Sequence, residues 1–181
     1  MQGDTLQFYG TGFQNKVLAV LIKDRVFLQQ VHDIIDPKYF SSESSQWIAK
    51  TILKYFDQYK SPPTLEALKI YVDQVDVDVL KTTIIENIKE VLRFAESEDF
   101  QFVKDKTLEF CKNQKIKGAI LKSVELLKSG KYDEIKLSID DAMKAGSDRN
   151  IGHEYIDDIA LRFVENKRNT IPTPWDVVNE I

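Results

Sequence analysis

From Asp99 to Lys128 the chain contains no proline and a single glycine, Gly118. With nothing there to break a backbone hydrogen-bond ladder, the stretch predicts one helix of some 30 residues, about 45 Å long at ~1.5 Å per residue. Such a rod outreaches a small domain, which is about 30 Å across. Its apolar residues do not keep to one side either. At ~100° per residue, Phe100, Val103, Phe110 and Cys111 share one arc, whereas Ile116, Ile120, Val124 and Leu127 lie nearly opposite. A helix patterned in this way needs two different packing partners.

Ser129-Gly130 ends the rod, and Tyr132 to Ala145 predicts a second helix with Ile135, Ile139, Ala142 and Met143 in register. The two form a helical hairpin. Its apolar side, Ile116, Ile120, Val124, Leu127, Ile135 and Ile139, has no obvious partner in the chain and is expected to be an oligomerisation surface. The polar run Gly146 to Gly152 has the composition of a flexible linker. Beyond it, Ile156, Ile159, Ala160 and Phe163 make a narrow stripe on a helix ending near Arg168-Asn169, expected to dock on another surface.

The first part of the chain reads as a small helical domain. Met1 to Gly10 shows no clear period and is expected to fray. Helical spacing begins with Phe13, Val17, Val20 and Leu21, continues through Val26, Phe27 and Val31, and stops at Asp36-Pro37. Tyr39 and Phe40 are expected to plug the core. Ser41 and Ser42 offer caps to a helix striped by Trp47, Ile48, Ile52, Tyr55 and Phe56. Pro62-Pro63-Thr64 starts a short helix through Leu65, Leu68 and Tyr71, and Leu80, Ile84, Ile88, Val91 and Ala95 mark another, expected at the centre of the core. The fold class expected is all-α, with a globular part (1–98), a hairpin (99–146), and a linker with its docking helix (147–170).

Composition and motifs narrow the chemistry. With 43% hydrophobic residues the chain can build a core, and a formal net charge of −4 argues against a generic duplex-DNA binder. No apolar run approaches the ~20 residues of a membrane span, and the N-terminus lacks a signal-peptide layout, so a cytoplasmic location is expected. The single cysteine, Cys111, reads as a buried thiol in a reducing compartment. His32 and His153 stand apart from other metal ligands, and the Asp73, Asp76, Asp78 group lacks the glycine and terminal glutamate of a calcium loop. No Gly-x-Ser-x-Gly turn occurs, and Gly130-Lys131 is followed by Tyr132 and preceded by Glu125, not by the glycine of a phosphate loop. The lysines of the rod, Lys104, Lys106, Lys112, Lys115, Lys117, Lys122 and Lys128, fit either a contact with single-stranded DNA or an acidic partner, or a solvated face interleaved with glutamates.

Particular residues carry a resemblance. Ile34-Ile35-Asp36-Pro37, Tyr39-Phe40-Ser41-Ser42, Gln46-Trp47-Ile48 and Pro62-Pro63-Thr64-Leu65-Glu66-Ala67-Leu68 follow one another as in the N-terminal domain of DnaB-type replicative helicases, especially those of tailed phages. Ile171-Pro172-Thr173-Pro174-Trp175 followed by Val178-Asn179-Glu180-Ile181 resembles the entry to that family's RecA-type ATPase domain, with Pro174 in place of the usual glycine. The resemblance implies a piece of a longer protein in which residues 171–181 begin the ATPase domain. It implies no catalytic, cofactor or metal site in the piece itself, while the full-length protein would use ATP and Mg. The partners implied are other copies of the chain, in dimer contacts within a hexamer, a primase or helicase loader, and single-stranded DNA mainly through the ATPase domain. A free-standing phage adaptor or loader-like helical protein is the alternative.

On this reading, Phe163→Asp in the full-length protein should lower hexamer formation or coupled ATPase activity at least about tenfold, a loss of ~1.4 kcal/mol or more in docking. The N-terminal part should stay folded. Normal hexamers with normal ATPase activity would rule out the docking role.

Overall fold

The structure is a computed structural model that describes residues 5–94 and 99–146. These belong to the first of two compact units, Met1–Asp148; the second is Arg149–Ile181. The stripe Ile156, Ile159, Ala160 and Phe163, the linker beyond Gly146 and the segment 171–181 lie outside the described residues. Among the described residues the fold is all-α, without a strand.

Its centre is α1 (Gly10–Lys23), in which Val17, Leu18, Ala19, Val20 and Leu21 are buried in succession. A helix that is apolar all round can only be surrounded. Around it pack α2 (Arg25–Val31), α3 (Glu43–Tyr59), α5 (Asp78–Arg93) and α6 (Phe100–Lys128). The central place expected of α5 is therefore not the one it takes: it buries only Ile84 and Val91. A single narrow stripe is the mark of a helix that covers a core from outside, and the unbroken run in α1 was the better sign.

Two local expectations are also corrected. Leu6–Tyr9 forms a 3-10 turn instead of fraying; Leu6 is fully buried, and Tyr9 stacks on Phe13 with ring centroids 4.7 Å apart. So short a turn leaves no 3.6-residue period to read. Gly146, the first residue of the polar run read as linker-like although within the hairpin bounds 99–146, is held in the body. Its φ of +63° suits glycine, its carbonyl accepts from Gln30 Nε2 at 3.1 Å, and a Cβ there would sit 2.6 Å from Ile34 Cδ1 and 2.8 Å from Leu108 Cδ1. The expected globular part and hairpin are thus joined in one compact unit.

Other turns follow the local chemistry. Tyr39 meets Phe110 edge-on at 5.2 Å beside the buried Phe40, so the 3-10 turn Pro37–Tyr39 closes the core against α6. Ser42 caps α3 by accepting from the Ser45 amide at 3.1 Å, and Thr64 caps α4 (Leu65–Asp73) by accepting from Ala67 at 3.2 Å. Asp24 caps α2 through the Phe27 amide at 2.9 Å and pairs with Lys104 of α6 at 2.5 Å. Burial pulls this carboxyl upward, but Lys104 and the amide donors outweigh it and hold the pKa below its ordinary value. Lys16 of α1 reaches Asp99 at 2.5 Å, a second tie between α1 and the start of α6.

Glycine chemistry gives opposite outcomes at two positions. Gly146→Ala should lower stability by about 2 kcal/mol, through the positive φ and the collision with Ile34 and Leu108. Gly118→Ala should raise it by roughly 0.5–1 kcal/mol, since Gly118 lies within α6 and a Cβ there meets nothing within 4 Å. Urea midpoints of the two variants check both signs.

Candidate functional site

The site follows from the way α6 is divided. Its first half is anchored by Val103, Thr107, Phe110 and Cys111, all buried. Its second half carries α7 (Tyr132–Lys144), which packs chiefly on α6. The turn between them is a Schellman stop: Gly130 takes φ +67°, the Lys131 amide reaches the Leu126 carbonyl and the Gly130 amide the Leu127 carbonyl, both at 3.1 Å.

Small side chains bring the two helices together. Ala119 and Ala142 are 7% and 3% exposed, and the Ser123 hydroxyl turns back to donate to the Ala119 carbonyl at 2.7 Å. The intramolecular seam on α6 therefore runs through Ala119, Ser123 and Leu126, one step around the helix from the aliphatic stripe. That stripe is left open: Ile120, Val124 and Leu127 are 52%, 50% and 58% exposed, and Ile116 is half-buried at its edge.

On α7, Ile135 and Ile139 border the seam half-buried, and Tyr132 and Met143 continue outward on the same side, 68% and 67% exposed. At ~100° per residue the four residues of each helix fall within roughly 80° of arc. Their steps are 4, 4 and 3 residues on α6 and 3, 4 and 4 on α7. Because the helices are antiparallel and rise equally per residue, Leu127 stands level with Tyr132, Val124 with Ile135, Ile120 with Ile139 and Ile116 with Met143. The six residues expected from sequence thus share one face with Met143, which the α7 register already included, whereas Ala142 of that register is buried in the seam; the structure adds Tyr132. It was legible as a continuation of the α7 spacing. Leu137 and Leu121 are also exposed, at 63% and 61%, but belong to other sides.

The opposite side of the hairpin is different in kind. There a cleft of about 660 Å³ lies between the helices and Tyr39, with Gly118 in its floor and Lys115, Lys122, Glu134 and Asp141 around it. Lysines and carboxylates face each other across it. Three lysines of α6 have partners among the described residues. Lys104 pairs with Asp24, Lys106 with Glu109 at 2.8 Å, and Lys115 reaches the Asp33 carbonyl at 3.4 Å. The Glu109 contact raises the Lys106 pKa.

Cys111 is fully buried, and that burial pushes its thiol up to about 12, far from the thiolate a nucleophile requires. Burial, with Cys111 and Asp36 nearby, also takes Tyr39 up to about 12. His32 packs against Phe56, ring centroids 5.3 Å apart, and Asp73 pairs with Lys81 at 2.9 Å. Among the described residues no three His, Cys, Asp or Glu side chains come together as a metal site, and no helix is long and apolar enough to cross a membrane.

Compared with models of known protein families and with curated proteins, the sequence matches none.

With its pKa near 12, Cys111 should resist thiol-specific reagents in the native chain at pH 8 and react fully once unfolded. Labelling of the folded chain at the rate of a free thiol would contradict the burial described.

Proposed function

We propose that this chain is the assembly and partner-binding module of a hexameric replicative DNA helicase of the DnaB type, and that the hairpin face joins it to a second copy. Self-association would be its own task, while ATP and Mg chemistry and DNA unwinding would belong to the full-length protein. A primase or helicase loader would be the visiting partner.

The observation that carries the assembly part is the double ladder on the hairpin. Three- and four-residue steps of aliphatic residues are the spacing by which helices interdigitate in bundles. Here the two helices present four such levels side by side, and at the centre of the ladder Ile120 and Val124 are 52% and 50% exposed beside the half-buried Ile135 and Ile139. A second hairpin laid antiparallel on the first would complete four layers of a four-helix bundle, each layer receiving two residues from each copy. Such a contact is self-complementary, as a two-fold interface requires. The helicase part rests on the ordered segments from Ile34 to Leu68 and on Ile171 to Ile181.

Paired charges on the ladder test the assembly. Ile120→Asp with Val124→Asp should raise the dissociation constant of self-association at least about a hundredfold, or ~2.7 kcal/mol, because two carboxylates would be buried without partners. Folding stability should stay within about 0.5 kcal/mol, since both side chains are already half exposed. Light scattering over a concentration series reads the first quantity and urea unfolding the second. Unchanged association of the double variant would sink the proposal.

A further inference from the structure

We infer that the groove between α4 and α5 is a docking site for an amphipathic helix of another protein whose apolar stripe is flanked on both sides by carboxylates. The argument uses only this groove and does not rest on the helicase reading.

The two walls are built alike. On α4, Leu65, Leu68 and Val72 stand at steps of three and four residues, with Lys69 beside them. On α5, Ile85, Ile88 and Leu92 repeat the same steps, with Lys89 at the matching position. Leu68 and Val72 form a buried floor, while Leu65, Ile85 and Leu92 remain 36%, 39% and 36% exposed along the rim. The opening is about 470 Å³, within the range of pockets that hold ligand side chains.

Geometry selects a helix as occupant. Each wall spans eight residues, seven steps of ~1.5 Å or about 10 Å of helix axis, which is two turns. A third helix lying between two others seats its i, i+3, i+4 and i+7 residues in such a channel. The described residues offer no strand edge, so pairing with an extended peptide has no template here.

Charge selects the flanks. Lys69 and Lys89 are exposed, one on each wall, and neither has an ion-pair partner among the described residues. The one carboxylate in the lining of the groove, Asp73, is paired with Lys81 at 2.9 Å. In a chain of net charge −4, a channel edged by two unpaired ammonium groups favours a partner with acidic residues on both sides of its apolar stripe. The contribution should be chiefly to specificity and rate of encounter, and should weaken with salt.

The probe is a fluorescein-labelled helical peptide of about 18 residues, with leucine at i, i+3, i+4 and i+7 and glutamate on both flanks, beside a control with lysine flanks. Fluorescence anisotropy with the whole chain should give at least about tenfold tighter binding of the glutamate peptide. The double variant Lys69→Glu, Lys89→Glu changes exposed residues only and should keep its Tm while reversing that preference. Amide spectra of the labelled chain should shift at Leu65–Val72 and Ile85–Leu92. Equal binding of the two peptides, an unchanged preference in the double variant, or shifts on the hairpin instead would each overturn the inference. So would shifts at the groove produced by raising the concentration of the chain alone, which would assign the groove to a second copy.

Discussion

The burial of the first half of α6 against α1 is the contact on which the arrangement of the described residues depends. Val103, Thr107, Phe110 and Cys111 enter a core whose centre is the unbroken run Val17–Leu21, and ion pairs from Lys16 and Asp24 tie the same turns to α1 and the start of α2. An α-helix cannot bend sharply without a proline, an inserted residue or another identifiable cause. Once its first half is fixed, the remaining turns must project from the body. Whatever that projecting half carries is then held at a set position on the surface.

Side-chain size decides what it carries. Ala119 and Ala142 let α6 and α7 approach closely, so the intramolecular seam is made by small residues and the larger aliphatic ones are turned away from it. Had the Ile120 stripe formed the seam, the hairpin would present little apolar surface outward. Rotating the seam one step leaves both helices with a ladder on one side and a charged cleft on the other. The return of the chain at Gly146 onto Ile34, Leu108 and Gln30 ties the base of the hairpin to the body.

Much of this was legible in the sequence because helical periodicity and helix stops are local. The rod from Asp99, the stop at Gly130 and the caps at Ser42 and Thr64 follow from residues within one turn of each feature. The misreadings have different sources. The buried Leu6 turn is too short for a period, the central place of α1 was signalled by its unbroken apolar run and not by the narrow stripe of α5, and the retention of Gly146 depends on Ile34 and Leu108 far away in sequence. Likewise, the six hairpin residues were found by spacing, but which stripe α7 would cover depended on the alanines. The groove between α4 and α5 escaped for the same reason: each wall reads alone as a helix facing the core.

The central claim is that the hairpin ladder is the surface by which two copies meet. Methyl-labelled NMR spectra of isoleucine and valine, recorded as the chain is diluted, test it most directly because they report position by position. The account predicts concentration-dependent shifts at Ile116, Ile120, Val124, Ile135 and Ile139, with the core methyls of Ile48, Ile52 and Ile84 unchanged. Spectra that do not change with concentration, or changes centred on Ile85 and Ile88 instead, would contradict it.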